Sequence, residues 1–322
     1  MKSATGGATV YAACPSGRDR PPCEFGAEPL IAIATGHPLA PKVEIWRCSI
    51  CGHGVTRPAM ADVAALYAQR ESHDFLGHDS SWVQLIKSWW LSLEARQLLR
   101  WVDARPTLVV DYGAGNGMLA GRLAARSPEG CRVLALDFFD APPGNLGRAD
   151  YMSFAAAESG TVQADLLCCF HVLEHDDDPH RMLDRIGALL RPGGTLVLEV
   201  PNIDCVWNPL FGRACANWYV PYHRLHFSRT SLRNLIAGHD FEILAEQDIC
   251  GPTISFSLAQ SLGIKPGNLT FLAGILARPV QWLAERLTRR PSALRIIARK
   301  PARAAAEHQG SAAGAPDHGE QR

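Results

Sequence analysis

An excess of charge of either sign is what this sequence lacks first. Its 32 Lys and Arg balance 32 Asp and Glu. A protein that clamps nucleic acid through a global positive field carries a basic excess, so no nucleic-acid partner of that kind is expected. A long apolar run is missing too. The uncharged stretch from Ile249 to Ile264 contains Pro252 and several polar residues. It falls short of the roughly 20 apolar residues that a spanning helix needs, so no transmembrane helix is expected. No basic-then-apolar leader opens the chain, and no internal repeat is found. Cysteine, by contrast, is plentiful, at positions 14, 23, 48, 51, 131, 168, 169, 205, 215 and 250. Without a leader, these point to a reducing cytoplasm, with Cys as core residues or metal ligands rather than disulfides.

What is present centres on Leu108 to Leu123, LVVDYGAGNGMLAGRL. It reads as a buried strand, then Asp111, then a glycine turn, then the start of a helix. Gly113, Gly115 and Gly117 alternate. Glycine admits positive φ angles and close approach of a ligand to the backbone. A helix opening after such a turn offers unpaired N–H groups. The stretch therefore places a small-molecule site at the carboxyl end of a parallel strand. A dinucleotide fold wants G-x-G-x-x-G, which would need glycine at Met118. The third glycine falls one residue early. No Lys follows the turn, so a phosphate-binding P-loop is not expected either.

The α/β pattern continues. Strand two, Arg132 to Leu136, ends at Asp137, where a carboxylate can accept both hydrogen bonds of a ribose diol. Phe138 beside it could cover a base. Tyr151 to Phe154 is the candidate third strand. Strand four, Ala164 to Phe170, runs into His171-Val-Leu-Glu174-His175 and then Asp176-Asp-Asp-Pro179. A helix over Pro179 to Leu190 stops at Arg191-Pro-Gly-Gly194, and strand five is Thr195 to Val200. Ser228 or Thr230 caps a helix over Ser231 to Ala237. Phe241 to Asp248 and Leu294 to Arg299 supply the last two strands.

The run D-x-G-x-G-x-G from Asp111 to Gly117 resembles motif I of the class I S-adenosylmethionine-dependent methyltransferases. Two further blocks share the resemblance: Asp165 to Pro179, ending L-E-H-x-x-D-P, and Leu190 to Asn202, L-x-P-G-G-x-L-x-x-x-x-P-N. The resemblance covers about Leu108 to Asp248. It implies an α/β fold, doubly wound and Rossmann-like, with a seven-stranded sheet whose last strand is antiparallel. It implies S-adenosyl-L-methionine as cofactor, held by Asp111, Gly113, Ala114, Gly115, Gly117, Asp137, Phe138 and His171. It favours methyl transfer to oxygen on a small-molecule, sugar or lipid-linked acceptor, with carbon and nitrogen open. The adenine contact stays open between Asp150 and Glu158. Two rivals remain. One is a nicotinamide-dependent oxidoreductase, against which the glycine spacing speaks. The other is a non-catalytic protein that keeps the fold for binding.

A hydroxyl acceptor needs its proton removed, and an imidazole titrates near neutrality. His175 is the first candidate base. Its alternative role is to hold the 171–175 loop by hydrogen bonds. Residues 203–230 read as irregular and aromatic, a natural acceptor pocket or lid. Their H-x-x-H-F-S run resembles a signature of the same family. His223 and His226 are the next base candidates, and His226 could equally pin the lid. No carboxylate or Cys sits at ligand spacing from these two, which speaks against a metal there.

Residues 1–60 form a zinc-ribbon-like segment. Cys48-Ser-Ile-Cys51-Gly52 is one knuckle. Cys14 and Cys23 are the obvious second pair, but a standard knuckle would place its cysteine at Gly17. The candidate structural zinc ligands are Cys14, Cys23, Cys48 and Cys51, with His37 and His53 as substitutes. The other reading is a relic ribbon held by its own core around Ile45 and Trp46. Trp46 to Tyr67 resembles the N-terminal ribbon of a group of bacterial methyltransferases. Residues 61–103 are a linker and a first helix, whose Trp82, Trp89, Trp90 and Trp101 are expected in the core. The main domain spans 104–302, with an apolar helical insertion at about 251–292. Its helix near 269–290 should kink at Pro279. With Arg286, Arg289 and Arg290 at its end, it could lie on an anionic membrane face, cover the acceptor site or form a dimer face. Residues 303–322 read as a disordered tail. The oligomeric state is open.

Overall fold

The computed structural model describes residues 23–60, 64–67, 80–102, 105–158 and 162–302. Cys14 and the tail therefore lie outside the described residues. Strands β1 (Ile31–His37), β2 (Ala40–Arg47) and β3 (Gly54–Arg57) form an antiparallel ribbon. Helix α1 (Ser81–Leu98) leads into the main sheet. Then follow β4 (Leu108–Tyr112), α2 (Met118–Arg126), β5 (Arg132–Asp137), β6 (Asp150–Ser153), α3 (Phe154–Glu158) and β7 (Ala164–Phe170). The chain goes on through α4 (Pro179–Leu189), β8 (Leu190–Pro201), α5 (Trp207–Phe211), β9 (Leu225–His226) and α6 (Arg229–Ala237). It closes with β10 (Glu242–Ile249), α7 (Thr253–Ser261), α8 (Asn268–Thr288) and β11 (Ala293–Arg299).

The main sheet has seven strands in the order β10-β11-β8-β7-β4-β5-β6. Its centre is parallel, and β11 runs antiparallel between β8 and β10. This is the expected doubly wound sheet. The adjacent apolar residues of each central strand divide between its two faces. Val109, Leu166, Cys168 and Val197 pack with Ala95 and Leu98 of α1 and with α2. Val110, Leu167, Cys169 and Leu198 pack with α4 and α6. Strands buried on both faces read as continuous apolar runs because helices cover both sides. Chain order reverses between β4 and β7, so a crevice opens at their carboxyl ends.

Several expectations are corrected. Only Val83, Ala95 and Leu98 of α1 are buried, while Trp82, Leu85, Trp89, Trp90 and Leu93 are exposed. The helical period was read correctly, but not the side it buries. Strand β8 begins at Leu190 rather than Thr195, because Leu190 pairs with Ala164 and the Gly193–Gly194 bend is tied to Lys300 by two backbone hydrogen bonds.

Residues 203–230 are more regular than expected. Besides α5, they supply β9, which pairs with β3 and becomes the fourth strand of the ribbon sheet. The ribbon's Ile33, Val43 and Ile45 share one core with Ile203, Trp207, Trp218 and Ile254. Ser228 caps α6 reciprocally with Ser231 and donates to the Cys51 carbonyl at 2.8 Å. The N-terminal segment is thus sewn to the loop beside the crevice.

Candidate functional site

The crevice floor is the glycine turn. The N–H groups of Gly113 and Ala114 both donate to the Leu136 carbonyl, at 2.8 and 3.0 Å. This locks the turn against the end of β5. Gly115 has φ +54°, and its N–H donates to Asp137 Oδ2 at 2.6 Å. Asp137 Oδ1 accepts from the Phe138 N–H at 2.7 Å. Burial raises the Asp137 carboxyl above its ordinary range, against these two N–H bonds. Each carboxylate oxygen has two lone-pair sites, so each retains one for a further donor. Asp111 is buried beneath the turn, and its Oδ2 has no hydrogen-bond partner. Burial pushes it up to about 7. A Cβ on Gly115 would meet no atom within 4 Å, whereas one on Gly113 would run into Val172. The turn is open at one glycine and closed against the neighbouring loop at the other.

That neighbouring loop follows β7 and forms the opposite wall. His171 sits in the left-handed region at φ +57°, a conformation rare for a side-chain-bearing residue and one that functional loops retain. Its Nε2 lies 3.0 Å from Glu199 Oε1 and its Nδ1 3.5 Å from Glu174 Oε1. Desolvation opposes the charge, but the two carboxylates prevail and push the imidazole up to about 10. Glu199 in turn receives Arg295 Nε and Nη2 at 2.9 and 2.6 Å, and Arg295 Nη1 reaches Glu94 at 2.6 Å. No reading of the sequence singled out Arg295. Its signal is a charge at the centre of the apolar strand LRIIAR.

His175 is half-buried. The Tyr67 hydroxyl lies 2.7 Å from its Nδ1, with the Tyr222 carbonyl 3.2 Å away. Burial lowers its pKa below the ordinary value, which keeps it neutral at neutral pH. Tyr67 was the missed partner. It was legible only as the last residue of the Trp46 to Tyr67 stretch that resembles the N-terminal ribbon, with nothing local to aim it at residue 175. Its ring also approaches Phe138 at 5.6 Å and Tyr222 at 5.4 Å between centroids. Aromatic faces therefore line the space between Asp137 and His175, and the Phe138 ring is itself exposed.

His223 is buried, with Nδ1 3.1 Å from the Asn217 carbonyl and Nε2 3.6 Å from Glu174 Oε1. Burial, then the neighbouring His175 and His226, hold it well below the ordinary value. Glu174 is buried, and neither carboxylate oxygen has a hydrogen-bond partner. Ligand atoms of Glu174, His175 and His223 lie within 4.8 Å of one another. Local spacing offered His223 no carboxylate; the fold brings one from 49 positions upstream (223 − 174). His226 lies in the β3–β9 seam, its ring centroid 6.4 Å from that of His223, 4% exposed, with Nε2 2.9 Å from Thr56 Oγ1.

In the ribbon, Cys23, Cys48 and Cys51 place their sulfurs within 4.8 Å of one another. Cys14, the fourth expected ligand, lies outside the described residues. His53 is buried against Phe227 instead, with ring centroids 5.0 Å apart. His37 stands edge-on to Tyr222.

The family model described as a methyltransferase domain matches residues 89–246. Among curated proteins, the chain is 32% identical over 119 residues to a ubiquinone biosynthesis O-methyltransferase of Pseudomonas aeruginosa (strain UCBPP-PA14), covering 32% of this chain and 50% of that one. It is 29% identical over 121 residues to the protein of the same name from Acinetobacter baumannii (strain AYE), with the same coverage. The chain thus spans about half the length of the curated relatives it matches. A solved structure similar in fold is the 1,6-didemethyltoxoflavin-N1-methyltransferase of Burkholderia thailandensis, at 20% identity and a TM-score of 0.44. The match covers 85% of this chain and 100% of that one.

Proposed function

Because residues 89–246 match the family model of the methyltransferase domain, we propose that this protein is a class I S-adenosylmethionine-dependent methyltransferase that transfers a methyl group from S-adenosyl-L-methionine to an acceptor held between the 171–175 loop and residues 203–230. The observation that carries the reading is the crevice at the β4/β7 switch point, floored by a turn that is open at Gly115 and bonded to Asp137. The cofactor fits it. Gly115 leaves room for close backbone approach, Gly113, Ala114 and Gly117 shape the turn around it, Asp137 keeps acceptor capacity for a ribose diol, Phe138 offers an exposed ring, and the buried Asp111 supports the turn. His171 closes the opposite wall. The cofactor supplies an electrophilic methyl group on a sulfonium.

The protein's own part is to align the acceptor and handle its proton. His175 is the base in this reading. With Nδ1 donating to the Tyr222 carbonyl, Nε2 keeps its lone pair. Tyr67 fixes the ring. His223 and Glu174 stand behind it as positioning residues, and His226 holds the ribbon to the loop. An oxygen acceptor on a small or lipid-linked molecule suits a neutral imidazole base. The tyrosines and Phe138 suit a flat face on that acceptor.

Titration with S-adenosylhomocysteine and with NADH tests the cofactor. Binding of NADH alone would overturn the reading. Methyl transfer from labelled cofactor to small-molecule and lipid extracts tests the activity, and none to any fraction would favour a non-catalytic protein. In His175→Ala, kcat is expected to fall about 100- to 1,000-fold with the S-adenosylhomocysteine Kd unchanged. The wild-type acid limb should lie below pH 6.5, since burial lowers this imidazole, and should vanish in the variant.

The ribbon is proposed to hold a structural zinc on Cys23, Cys48, Cys51 and Cys14, since three convergent thiols are a zinc donor set. Metal analysis is expected to find one zinc per chain. Chelation should lower the melting temperature. Metal-free protein of unchanged stability would leave the ribbon's apolar core as its only support.

A further inference from the structure

We propose that the outer faces of α1, α7 and α8 together form a docking surface for an anionic lipid bilayer.

Helix α8 is amphipathic with its apolar side turned outward. Leu269, Leu272, Leu276, Val280, Leu283 and Leu287 follow one another at steps of three or four and are 44–77% exposed. Its buried residues are Gln281 and Glu285. Gln281 Nε2 donates to the Gly251 carbonyl at 2.6 Å, and Glu285 accepts from Trp207 Nε1 at 2.8 Å and Ser292 Oγ at 2.6 Å. Polar atoms fasten this helix to the protein, and its leucines face outward. Helix α1 buries Val83, Ala95 and Leu98 but also carries an exposed apolar stripe of Trp82, Leu85, Trp89 and Leu93.

The two stripes belong to one surface. Ser80 Oγ lies 3.1 Å from Asn268 Oδ1, and the Trp82 and Phe271 rings are 5.9 Å apart. Leu262 and Ile264, in the turn after α7, add exposed apolar area beside them. Monomeric proteins rarely expose contiguous apolar patches beyond a few hundred Å² (roughly 300–600 at most) unless the patch meets something.

Charge selects the occupant. The acids of residues 80–102 and 251–292 are Glu94 and Glu285. Glu285 is buried, and Glu94 is engaged with Arg295. The exposed charges are Arg96, Arg100, Lys265, Arg286, Arg289 and Arg290. Arg96 and Arg100 continue the α1 stripe at the same spacing. A second copy meeting this face about a two-fold axis would set like charges against each other. An anionic bilayer complements them. Trp82, Trp89, Trp90 and Trp282 are all exposed on these helices, and tryptophan suits the headgroup level. Among the described residues no helix is long and apolar enough to cross a membrane, so the helices lie on the surface rather than span it. On the inner side of α8, Glu285 accepts from Trp207, and Arg290, two residues beyond the helix, donates to the Asp204 carbonyl, both partners lying in the proposed acceptor segment 203–230. Docking would bring that loop to the headgroups, within reach of a lipid-borne acceptor.

The test uses the full chain with vesicles of phosphatidylglycerol and phosphatidylcholine against vesicles of phosphatidylcholine alone. Co-sedimentation with the anionic vesicles is expected, about tenfold or more stronger than with the neutral ones and weakened by salt. Lipids with brominated tails should quench the tryptophan fluorescence. Leu276→Glu with Leu283→Glu should weaken binding about tenfold or more, with no fall in melting temperature because both side chains are exposed. Absence of binding to anionic vesicles, or equal binding to neutral ones, would overturn the proposal. So would a dimer in light scattering that the same substitutions dissociate. Docking does not depend on the methyl-transfer reading. S-adenosylhomocysteine titration of the double variant, expected unchanged, keeps the failure of one distinct from the failure of the other.

Discussion

Replacing Gly115 with arginine is expected to lower S-adenosylhomocysteine affinity at least about 100-fold, a loss of roughly 2.7 kcal/mol, while the sheet stays folded. The reason lies in what surrounds that Cα. A Cβ there meets no atom within 4 Å, so the new side chain extends into open space at the carboxyl end of β4, where the cofactor is proposed to bind. The φ of +54° adds strain of order 1–3 kcal/mol for a residue with a side chain. The melting temperature should therefore fall only moderately. Gly113→Ala is the contrasting variant. Its methyl would collide with Val172, so it should lose stability and disturb the His171–His175 loop together. Isothermal titration and thermal unfolding separate the two effects. Wild-type affinity in Gly115→Arg would mean that the turn is not the cofactor site.

The second large effect is expected at Arg295. This guanidinium is 5% exposed and lies between Glu199 and Glu94. Replacement by leucine would leave Glu199 buried, with His171 as its remaining partner. Removing one member of a buried ion pair costs about 3–5 kcal/mol, because an uncompensated charge stays behind. Urea unfolding of Arg295→Leu should show a loss of that order. Arg295→Leu with Glu199→Leu should recover much of it, since a matched apolar pair replaces the charges. Glu94→Gln should cost at most about 1 kcal/mol, because Glu94 is partly exposed. A loss below about 1 kcal/mol in Arg295→Leu would show that the network does not hold β8 to β11.

Much of the fold was legible because it rests on local rules. Alternation of β-branched and leucine runs with helical periods marks a parallel sheet wherever both faces are covered. Asp178 and Ser228 mark helix starts, since each accepts from a backbone N–H that the first turn leaves unpaired. The limits of this reading show at α1 and α8. Periodicity reveals that a helix has two unlike faces. It does not say which face turns inward, because that depends on the partner it meets. Trp82 and Trp89 read as core by type, yet Val83, Ala95 and Leu98 took the inward side. Helix α8 turned Gln281 and Glu285 inward because Trp207, Gly251 and Ser292 supplied their hydrogen bonds.

The candidate site divides in the same way. The glycine turn, Asp137 and the 171–175 loop lie within short segments and could be read directly. The contacts of Glu174 with His223, Tyr67 with His175 and Arg295 with Glu199 join residues 49, 108 and 96 positions apart (223 − 174, 175 − 67, 295 − 199). By itself, then, the sequence determined the sheet, its winding and the kind of pocket at its switch point, since strand, turn and cap chemistry act over a few residues. Tertiary structure alone decided which imidazole faces a carboxylate, which is walled into the ribbon seam, and which side of each outer helix meets the solvent. Burial and pairing are properties of distant neighbours, and no local pattern encodes them.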